Sequence, residues 1–346
     1  MATITDIAKK LNISKGTVSK ALNGAPDVSE TLRKTVFETA VELGYSRSMH
    51  KKDAKRLCIF IENMDYLKES DFGYDIILGF KQMAEPSGFI VEINPIDKNI
   101  QTHIKYDEYM LKHDYVGAFF LGLTLVDIWF EQLKSSKTPA VLLDNYIKAN
   151  STTAYVGVDN NEALDLAVSY LKSLGHRKIG YLSGGLSSYI NQLRYTAFFH
   201  ALRKHNLCDD THLAGSAYLV SECIHSHLPR ILGQDVTAIM CSHDLLAHAV
   251  MTHCQELGLR VPEDISIIGF DDLQFCAYTN PSLTTIKQNR IQLGKSAFYA
   301  VSSLLNNVSI STLLLHTELI TRDSTGVVPD KAPVHYINNK KDKRNV

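Results

Sequence analysis

Long apolar segments are missing from this sequence of 346 residues. A helix that spans a bilayer needs about 20 consecutive apolar residues, and no such run occurs. The N-terminus also lacks the basic stretch and the apolar stretch that together mark an export signal. We therefore expect a cytoplasmic protein with no membrane partner. A solute-binding protein that works after export is disfavoured for the same reason.

Paired cysteines are absent as well. No C-x-x-C motif occurs, so the sequence predicts neither a disulfide framework nor a zinc ribbon. The segment Cys223-x-His225-x-His227 is the densest group of metal-ligating residue types, but no further ligands follow at the spacing of a zinc site. We expect no metal site, no cofactor and six buried thiols: Cys58, Cys208, Cys223, Cys241, Cys254 and Cys276.

The sequence has no signature of a phosphate loop or of a nucleophile elbow. The segment Ser183-Gly184-Gly185-Leu186-Ser187-Ser188 follows a predicted strand, yet it matches neither the spacing of nucleotide-binding loops nor that of α/β-hydrolases. No catalytic residue is predicted. A nucleotide-dependent α/β enzyme stays as a remote alternative, and turnover of a substrate would be its signature.

Positive charge is concentrated at the start of the chain. The formal net charge is −1, but residues 1–56 carry a net charge of +5 and the remainder carries −6. Clustered cations are typical of modules that bind nucleic acid, because binding releases counterions from the phosphates. A solvated basic face would give the same numbers, so charge alone leaves both interpretations open.

Three short amphipathic helices are predicted in the first 44 residues. Thr3 and Asp6 have capping-box spacing ahead of a helix over about residues 5–11. Ser14 can cap a second helix that ends at Asn23-Gly24. A third helix opens at Ser29 and stops at Gly44. This arrangement predicts a helix-turn-helix unit whose second helix lies in the major groove of DNA.

From Leu57 onward, short apolar runs alternate with longer amphipathic stretches. This rhythm is typical of α/β proteins with parallel sheets, and the length favours two sheets. Ligands of such sheets bind beyond the carboxyl ends of the strands. The predicted strands cover Leu57–Ile61, Phe89–Ile93, Val116–Leu121, Ala140–Leu143, Lys178–Leu182, Ala238–Cys241 and Ile265–Phe270.

Several motifs make the sequence recognisable. The first are Thr5-Asp6-Ile7-Ala8, Ile13-Ser14-Lys15-Gly16-Thr17-Val18-Ser19-Lys20-Ala21-Leu22-Asn23 and Glu42-Leu43-Gly44-Tyr45. Others follow through the body, such as Val158-Asp159-Asn160, Leu174-Gly175-His176-Arg177 and Ile268-Gly269-Phe270-Asp271-Asp272. Together they resemble the lactose-repressor/galactose-repressor (LacI/GalR) family over nearly the whole chain. The resemblance implies a helix-turn-helix headpiece and a two-subdomain body like that of a type I periplasmic binding protein.

By this resemblance we divide the chain into five segments. Residues 1–46 form the DNA-binding headpiece and residues 47–56 a short basic linker. The N-subdomain takes residues 57–157 and 288–316, and the C-subdomain residues 158–287 and 317–330. Residues 331–346 are a basic tail that we expect to be disordered. The linker departs from the family, since the Pro-Asn of the usual hinge is missing after Tyr45. The resemblance therefore does not imply minor-groove reading by this linker.

The resemblance also implies which headpiece residues meet DNA. Lys15, Gly16 and Lys20 occupy the positions that choose bases, whereas five others approach the backbone: Thr5, Ser14, Thr17, Ser19 and Asn23. A lysine can donate to guanine O6 and N7, and hydroxyls can donate to phosphate oxygens. The alternative is that the lysines are solvated charges and that Thr17 and Ser19 pack the helix.

Effector contacts follow from the same resemblance. Arg194 and Asp271 match the family's recurrent ligand contacts, and a donor fork beside an acceptor suits sugar hydroxyls. A surface ion pair for Arg194 and a loop-capping role for Asp271 are the alternatives. His243 stands where many sugar-binding members carry Asn. Aromatic walls and hydroxyl acceptors are expected at five further positions: Phe72, Tyr146, Tyr218, Asp71 and Asp144.

These observations predict a DNA-binding transcriptional regulator, of which repression is the favoured sign. We expect a homodimer on a pseudopalindromic operator of double-stranded DNA, gated by a small-molecule effector of the carbohydrate type. The alternative keeps the headpiece and gives the body a protein or phosphorylated co-effector, or no effector.

Overall fold

The computed structural model describes residues 2–45, 55–62 and 64–330. Most of the predicted linker and the whole predicted basic tail, residues 331–346, lie outside the described residues. The chain forms two compact units. One runs to Gly157 and includes Arg290–Leu313, and the other covers Val158–Asn289 and continues from Leu314.

Three helices form the headpiece, as the sequence predicts. They are α1 (Ile4–Leu11), α2 (Lys15–Leu22) and α3 (Glu30–Leu43). Thr3 and Asp6 form the expected capping box, and Ser14 and Ser29 accept hydrogen bonds from the first turns of α2 and α3. Gly44 ends α3 with φ of 68°, a left-handed conformation that glycine adopts without strain. These capping residues therefore set the starts of all three helices and the end of α3.

The first unit continues with a six-stranded sheet, in the order β11-β5-β4-β3-β1-β2. Its strands are β1 (Lys55–Ile61), β2 (Phe89–Pro95), β3 (Tyr115–Leu121), β4 (Ala140–Leu143), β5 (Thr153–Val158) and β11 (Thr312–Leu315). Its helices are α4 (Phe72–Ala84), α5 (Lys98–His103), α6 (Tyr106–Lys112), α7 (Ile128–Leu133) and α13 (Arg290–Leu305). An aromatic cluster around Trp129, with Phe60, Tyr106 and Phe120, fills the space between the sheet and helices α6 and α7.

The second unit holds another six-stranded sheet, in the order β12-β10-β9-β8-β6-β7. Its strands are β6 (Ile179–Ser183), β7 (Ala214–Ser216), β8 (Ala238–Cys241), β9 (Ser266–Asp271), β10 (Thr284–Lys287) and β12 (Glu318–Ile320). The helices are α8 (Asn160–Ser173), α9 (Tyr189–Lys204), α10 (Val220–Glu222), α11 (Leu228–Leu232) and α12 (Asp244–Glu256). The pairings within the row from β10 to β7 are parallel, whereas β12 pairs with β10 in antiparallel fashion.

The prediction of two mostly parallel sheets is confirmed, and all seven predicted strands are present with small shifts at their ends. Five further strands were not predicted: β5, β7, β10, β11 and β12, of which β7 and β12 are only three residues long. The prediction of six buried thiols is wrong for Cys208, which is exposed in the connection after α9. Sequence spacing gives no information on burial at such a position.

Candidate functional site

The predicted DNA-reading residues lie on α2 and at its borders, except for Thr5 on α1. Ser14 is the N-cap of α2, where its Oγ accepts a hydrogen bond from the backbone N–H of Thr17 at 3.0 Å. The hydroxyl groups of Ser14 and Thr17 are also 2.8 Å apart. Both side chains therefore stabilise the start of the helix. Because Ser14 stays exposed there, its cap position places it beside any phosphate at the positive end of α2.

Lys15 and Gly16 occupy the exposed first turn of α2. A Cβ atom added to Gly16 would meet no neighbour closer than the Oγ of Ser14, at 3.6 Å. Packing inside the headpiece thus gives no reason for a glycine here. Its small size is useful only toward an outside partner, which fits the predicted close approach of DNA.

Lys20 carries the other base-reading prediction and has a partner in the structure. Its Nζ donates to Oδ2 of Asp27 at 2.5 Å, and both side chains are more than half exposed. The hydrogen bond from Lys20 lowers the pKa of Asp27. Asn23 and Ser19 contact each other one turn apart on the same helix. An exposed pair of this kind is weak, so Lys20 can exchange Asp27 for a base edge.

Arg194 is the centre of a buried polar group in the second unit. Stacking of Tyr181 on Phe198 at 4.7 Å fixes α9 against β6, and Arg194 lies one turn before Phe198. Its side chain is 5% exposed, and its guanidinium lies 3.6 Å from the centre of the Phe270 ring. This burial excludes the surface ion pair as an explanation of Arg194.

The Arg194 guanidinium donates to two groups of the same unit. Nη1 donates to the carbonyl oxygen of Ser242 at 2.5 Å, and Nε donates to Oδ1 of Asn160 at 3.2 Å. Nη2 lies 3.7 Å from Oδ1 of Asp271. The predicted pair of Arg194 and Asp271 is therefore assembled at the carboxyl ends of β8 and β9, where ligands of parallel sheets bind.

Asp271 stands in an unusual backbone conformation. It is the last residue of β9 and has φ of 115°, which is uncommon for any residue other than glycine. Its Oδ1 accepts a hydrogen bond from Nε2 of Gln288 at 2.6 Å. Within residues 64–330, Oε1 of the buried Gln288 has no hydrogen-bond partner. An acceptor of this kind is costly to leave unsatisfied and is available to a ligand hydroxyl.

His243 and Asp244 flank the same group at the start of α12. Nδ1 of His243 accepts from the backbone N–H of Leu246 at 3.2 Å. Burial and the Arg194 cation lower the pKa of His243 to about 4. Burial and the nearby Asp271 raise the pKa of Asp244 above its usual range, although Asp244 accepts hydrogen bonds from the Thr285 hydroxyl and from the backbone N–H of Leu273. Because its pKa is about 4, His243 is uncharged at neutral pH, and because Nδ1 accepts a hydrogen bond, the proton is on Nε2, which can donate.

The other predicted effector residues are dispersed. Tyr218 follows β7 with 82% of its surface exposed. Asp71 and Phe72 lie at the start of α4, where Asp71 accepts from the backbone N–H of Lys68 and Arg290 lies 6.0 Å from the Phe72 ring. Asp144 and Tyr146 follow β4. Of the eight predicted residues, Arg194, His243 and Asp271 are neighbours in the second unit, and Tyr218 lies exposed in the same unit. The other four belong to the first unit: Asp71, Phe72, Asp144 and Tyr146.

Sequence reasoning missed three partners in the buried polar group: Asn160, Ser242 and Gln288. Asn160 belongs to the recognisable Val158-Asp159-Asn160 motif, which was a signal for the position but not for its contact with Arg194. Ser242 contributes a backbone carbonyl, which no residue type reveals. Gln288 is 17 residues beyond Asp271, and only the pairing of β9 with β10 brings the two together.

The titration of His243 gives a first testable prediction. Because its folded pKa of about 4 is below the ordinary 6.5, the unfolded chain binds a proton that the folded chain does not. The contribution of uncharged His243 to the free energy of unfolding is complete above pH 6.5 and is lost as the pH falls toward 4. The variant His243→Asn keeps an acceptor for the helix cap but has no side chain that gains a proton in this range. As the pH falls from 6.5 to 4, the free energy of unfolding should therefore decrease by about 3 kcal/mol more in the wild type than in the variant.

Denaturant titrations of both proteins at pH 7.5, 6, 5 and 4.5 measure this difference. Groups common to both proteins, Asp244 among them, act on both curves. Parallel curves for the two proteins would show that His243 is protonated as easily in the folded state as in the unfolded one.

Two classes of feature are not found among the described residues. No group of three or more His, Cys, Asp or Glu side chains is arranged to hold a metal ion within this part of the chain. No helix in the same residues has the length and the apolar character needed to cross a membrane.

Comparisons with known proteins match both parts of the chain. The family model of bacterial regulatory proteins, lacI family, matches residues 3–48. The model of the periplasmic binding protein-like domain matches residues 168–325. Two curated relatives are each 28% identical: the HTH-type transcriptional repressor CytR of Escherichia coli (strain K12), over 95% of this chain and 97% of its own, and the ribose operon repressor of Haemophilus influenzae, over 94% and 98%.

Solved structures agree with the architecture. A lac repressor dimer bound to operator and the anti-inducer ONPF is 22% identical and covers 94% of this chain and 99% of its own, with a TM-score of 0.64. A complex of the transcriptional regulator CelR with cellobiose is also 22% identical, over 94% and 100%, with a TM-score of 0.67. These relatives are regulators rather than enzymes. The chain therefore joins a DNA-binding region of the bacterial regulatory lacI family to a periplasmic binding protein-like domain, which is the composition of a DNA-binding transcriptional regulator.

Proposed function

We propose that this regulator is a homodimeric repressor in the cytoplasm that reads a pseudopalindromic operator and is gated by a carbohydrate. Each headpiece would take one half-site through the exposed edge of α2. Lys15 and Lys20 would donate to base edges, and Ser14, Thr17, Ser19, Asn23 and Thr5 would approach the phosphates.

The observation that carries the effector proposal is the buried group of Arg194, Asp271 and Gln288. A sugar presents hydroxyl groups that each donate and accept. The group offers such a ligand a guanidinium donor, a carboxylate acceptor and the amide Oε1 of Gln288. His243 adds an uncharged N–H donor at neutral pH. This donor and acceptor set fits a neutral polyol better than a phosphorylated ligand, because Asp244 and Asp271 place carboxyl groups at the same strand ends.

Relatives support the same ligand class. One neighbour in structure is a complex with cellobiose, and one curated relative is named a ribose operon repressor. Effector binding would act by favouring one conformation of the body, and the change in DNA affinity is limited by the difference in effector affinity between the two states.

Calorimetric titration of the purified protein with a panel of pentoses, hexoses, disaccharides and nucleosides tests this proposal. We expect saturable binding of one sugar or sugar derivative at one site per chain. Binding of a nucleoside alone would move the effector out of the carbohydrate class. If no compound of the panel binds while the protein still selects DNA, the alternative of a protein or phosphorylated co-effector would be favoured.

A further inference from the structure

The apolar core of the headpiece is completed by a residue of the body. The cluster built from α1, α2 and α3 includes Leu111 of α6, which is 7% exposed. The preceding residue, Met110, belongs instead to the aromatic cluster around Trp129. Helix α6 therefore gives successive side chains to two different cores, and Leu111 is the one that faces the headpiece.

A polar contact reinforces this packing. Nζ of Lys137 donates to the carbonyl oxygen of Glu42 at 2.7 Å. Glu42 lies in the last turn of α3, where carbonyl oxygens have no N–H donor further along the helix. This turn contains no basic residue of its own. Lys137 thus supplies from the body the cation that a helix C-terminus favours.

The contact between headpiece and body is not tightly packed. A cavity of about 200 Å³ lies beside it, bordered by Val41 and Tyr45 of the headpiece and by Leu111 and Lys137 of the body. The cavity is open to solvent, so water reaches the edge of the contact. Lys15 and Gly16 on α2 remain exposed in the same arrangement. The contact therefore has the character of a reversible interface, and it leaves the reading edge of α2 accessible.

Helix α13 connects this contact to the proposed effector residues along the chain. It begins at Arg290, two residues after Gln288, and its last residues, Leu304 and Leu305, line the cavity beside the headpiece. Arg290 is held at the start of the helix by an ion pair with Asp75. A helix of 16 residues is roughly 24 Å long. One continuous helix therefore follows Gln288 in the chain and ends beside the headpiece contact.

We propose that Leu111 of α6 and Lys137 form a docking surface on the body for the headpiece of the same chain. Docking holds α2 at one orientation relative to this surface, and release of the contact frees the headpiece from that orientation. The body thus controls the headpiece by direct packing. This inference rests on the proposed function only for its consequence at DNA, so its first test uses the free protein.

Hydrogen exchange of the full-length chain measures docking directly. Leu111→Ser should raise the exchange rates of the α3 amides near residues 36–45 by about tenfold, because a buried leucine and its neighbours are lost from the contact. Lys137→Ala should raise them by about threefold. Lys134→Ala is the matched control, since its ammonium pairs with Glu131 on its own helix, and should leave α3 unchanged.

Two patterns would overturn the proposal. The first is that the α3 amides exchange at the wild-type rate in both Leu111→Ser and Lys137→Ala. The second is an increase in Leu111→Ser that spreads equally through β3 and α7, which would make Leu111 part of the body core. If Leu111→Ser does not fold, Lys137→Ala decides alone, because Lys137 is exposed and its loss leaves the body core intact.

A DNA measurement then tests the consequence. On fragments selected by the wild-type protein, the undocked variants should lose about tenfold in affinity for paired half-sites and keep their affinity for a single half-site. The variants could show faster α3 exchange and still bind paired half-sites as tightly as the wild type. This result would overturn the role of docking in positioning α2 for DNA. Absence of any DNA selection by the wild type would count against the proposed function and leave the exchange result standing.

Discussion

Arg194→Leu is expected to abolish effector binding and to lower the free energy of unfolding by about 3–5 kcal/mol. The guanidinium is buried, donates to Ser242 and Asn160, and lies beside Asp271. Its removal leaves the Asp271 carboxylate buried with its cation lost, which is the costly way to break such a pair. Calorimetry with the effector and urea denaturation measure the two losses separately.

Two further variants separate binding from stability. Arg203→Leu removes an arginine from the same helix, but this side chain is more than half exposed and pairs with Asp209 at 3.5 Å. Its effect on unfolding should stay within about 0.5 kcal/mol. Adding Asp271→Asn to Arg194→Leu removes the carboxylate charge that has lost its Arg194 neighbour, and should recover part of the stability without recovering effector binding. Full effector binding by Arg194→Leu would reduce Arg194 to a structural residue.

Lys20→Ala is expected to weaken binding to the selected operator by about 10- to 100-fold while changing binding to random DNA by no more than a few-fold. A lysine that reads a guanine edge contributes about 1–3 kcal/mol of discrimination. The structure allows this role because Lys20 is exposed and its ion pair is with Asp27, which is exposed as well. Titrations at two salt concentrations distinguish base reading from phosphate contact.

Lys9→Ala is the matched control for charge, since Lys9 is an exposed lysine of the same headpiece on α1. Any loss of affinity in this variant should be by the same factor for operator DNA and for random DNA. An equal loss on both DNAs in Lys20→Ala would remove Lys20 from the base-reading set and leave it as a phosphate contact.

The sequence predicts most of the fold because local signals agree with the tertiary structure. Thr3, Ser14, Ser29 and Gly44 are capping residues whose effect is confined to one helix end, so their spacing was sufficient. Buried parallel strands read as continuous apolar runs, and seven strands are predicted in this way, although the buried strand β5 is not among them. Strand β10 was missed because Thr284 and Thr285 interrupt its apolar character, although both are buried and hydrogen-bonded.

The candidate site could be predicted less completely. The motifs of the resemblance include Arg194 and Asp271, but the contact of Gln288 with Asp271 depends on the register of two strands. The pairing of Lys20 with Asp27 depends on the turn after α2. The positive φ of Asp271 is likewise a property of the folded β9 end. Such features arise from tertiary structure, and single-sequence patterns do not encode them.

The central claim is that one chain couples DNA selection to a small molecule. Selection from a genomic fragment library at fixed salt, with and without a panel of pentoses, hexoses, disaccharides and nucleosides, tests it most directly. The account predicts a pseudopalindromic site whose occupancy changes with one compound of the panel, and loss of that response in Arg194→Leu. Retention of random fragments only, or a selected site that Arg194→Leu still releases with the same compound, would contradict it.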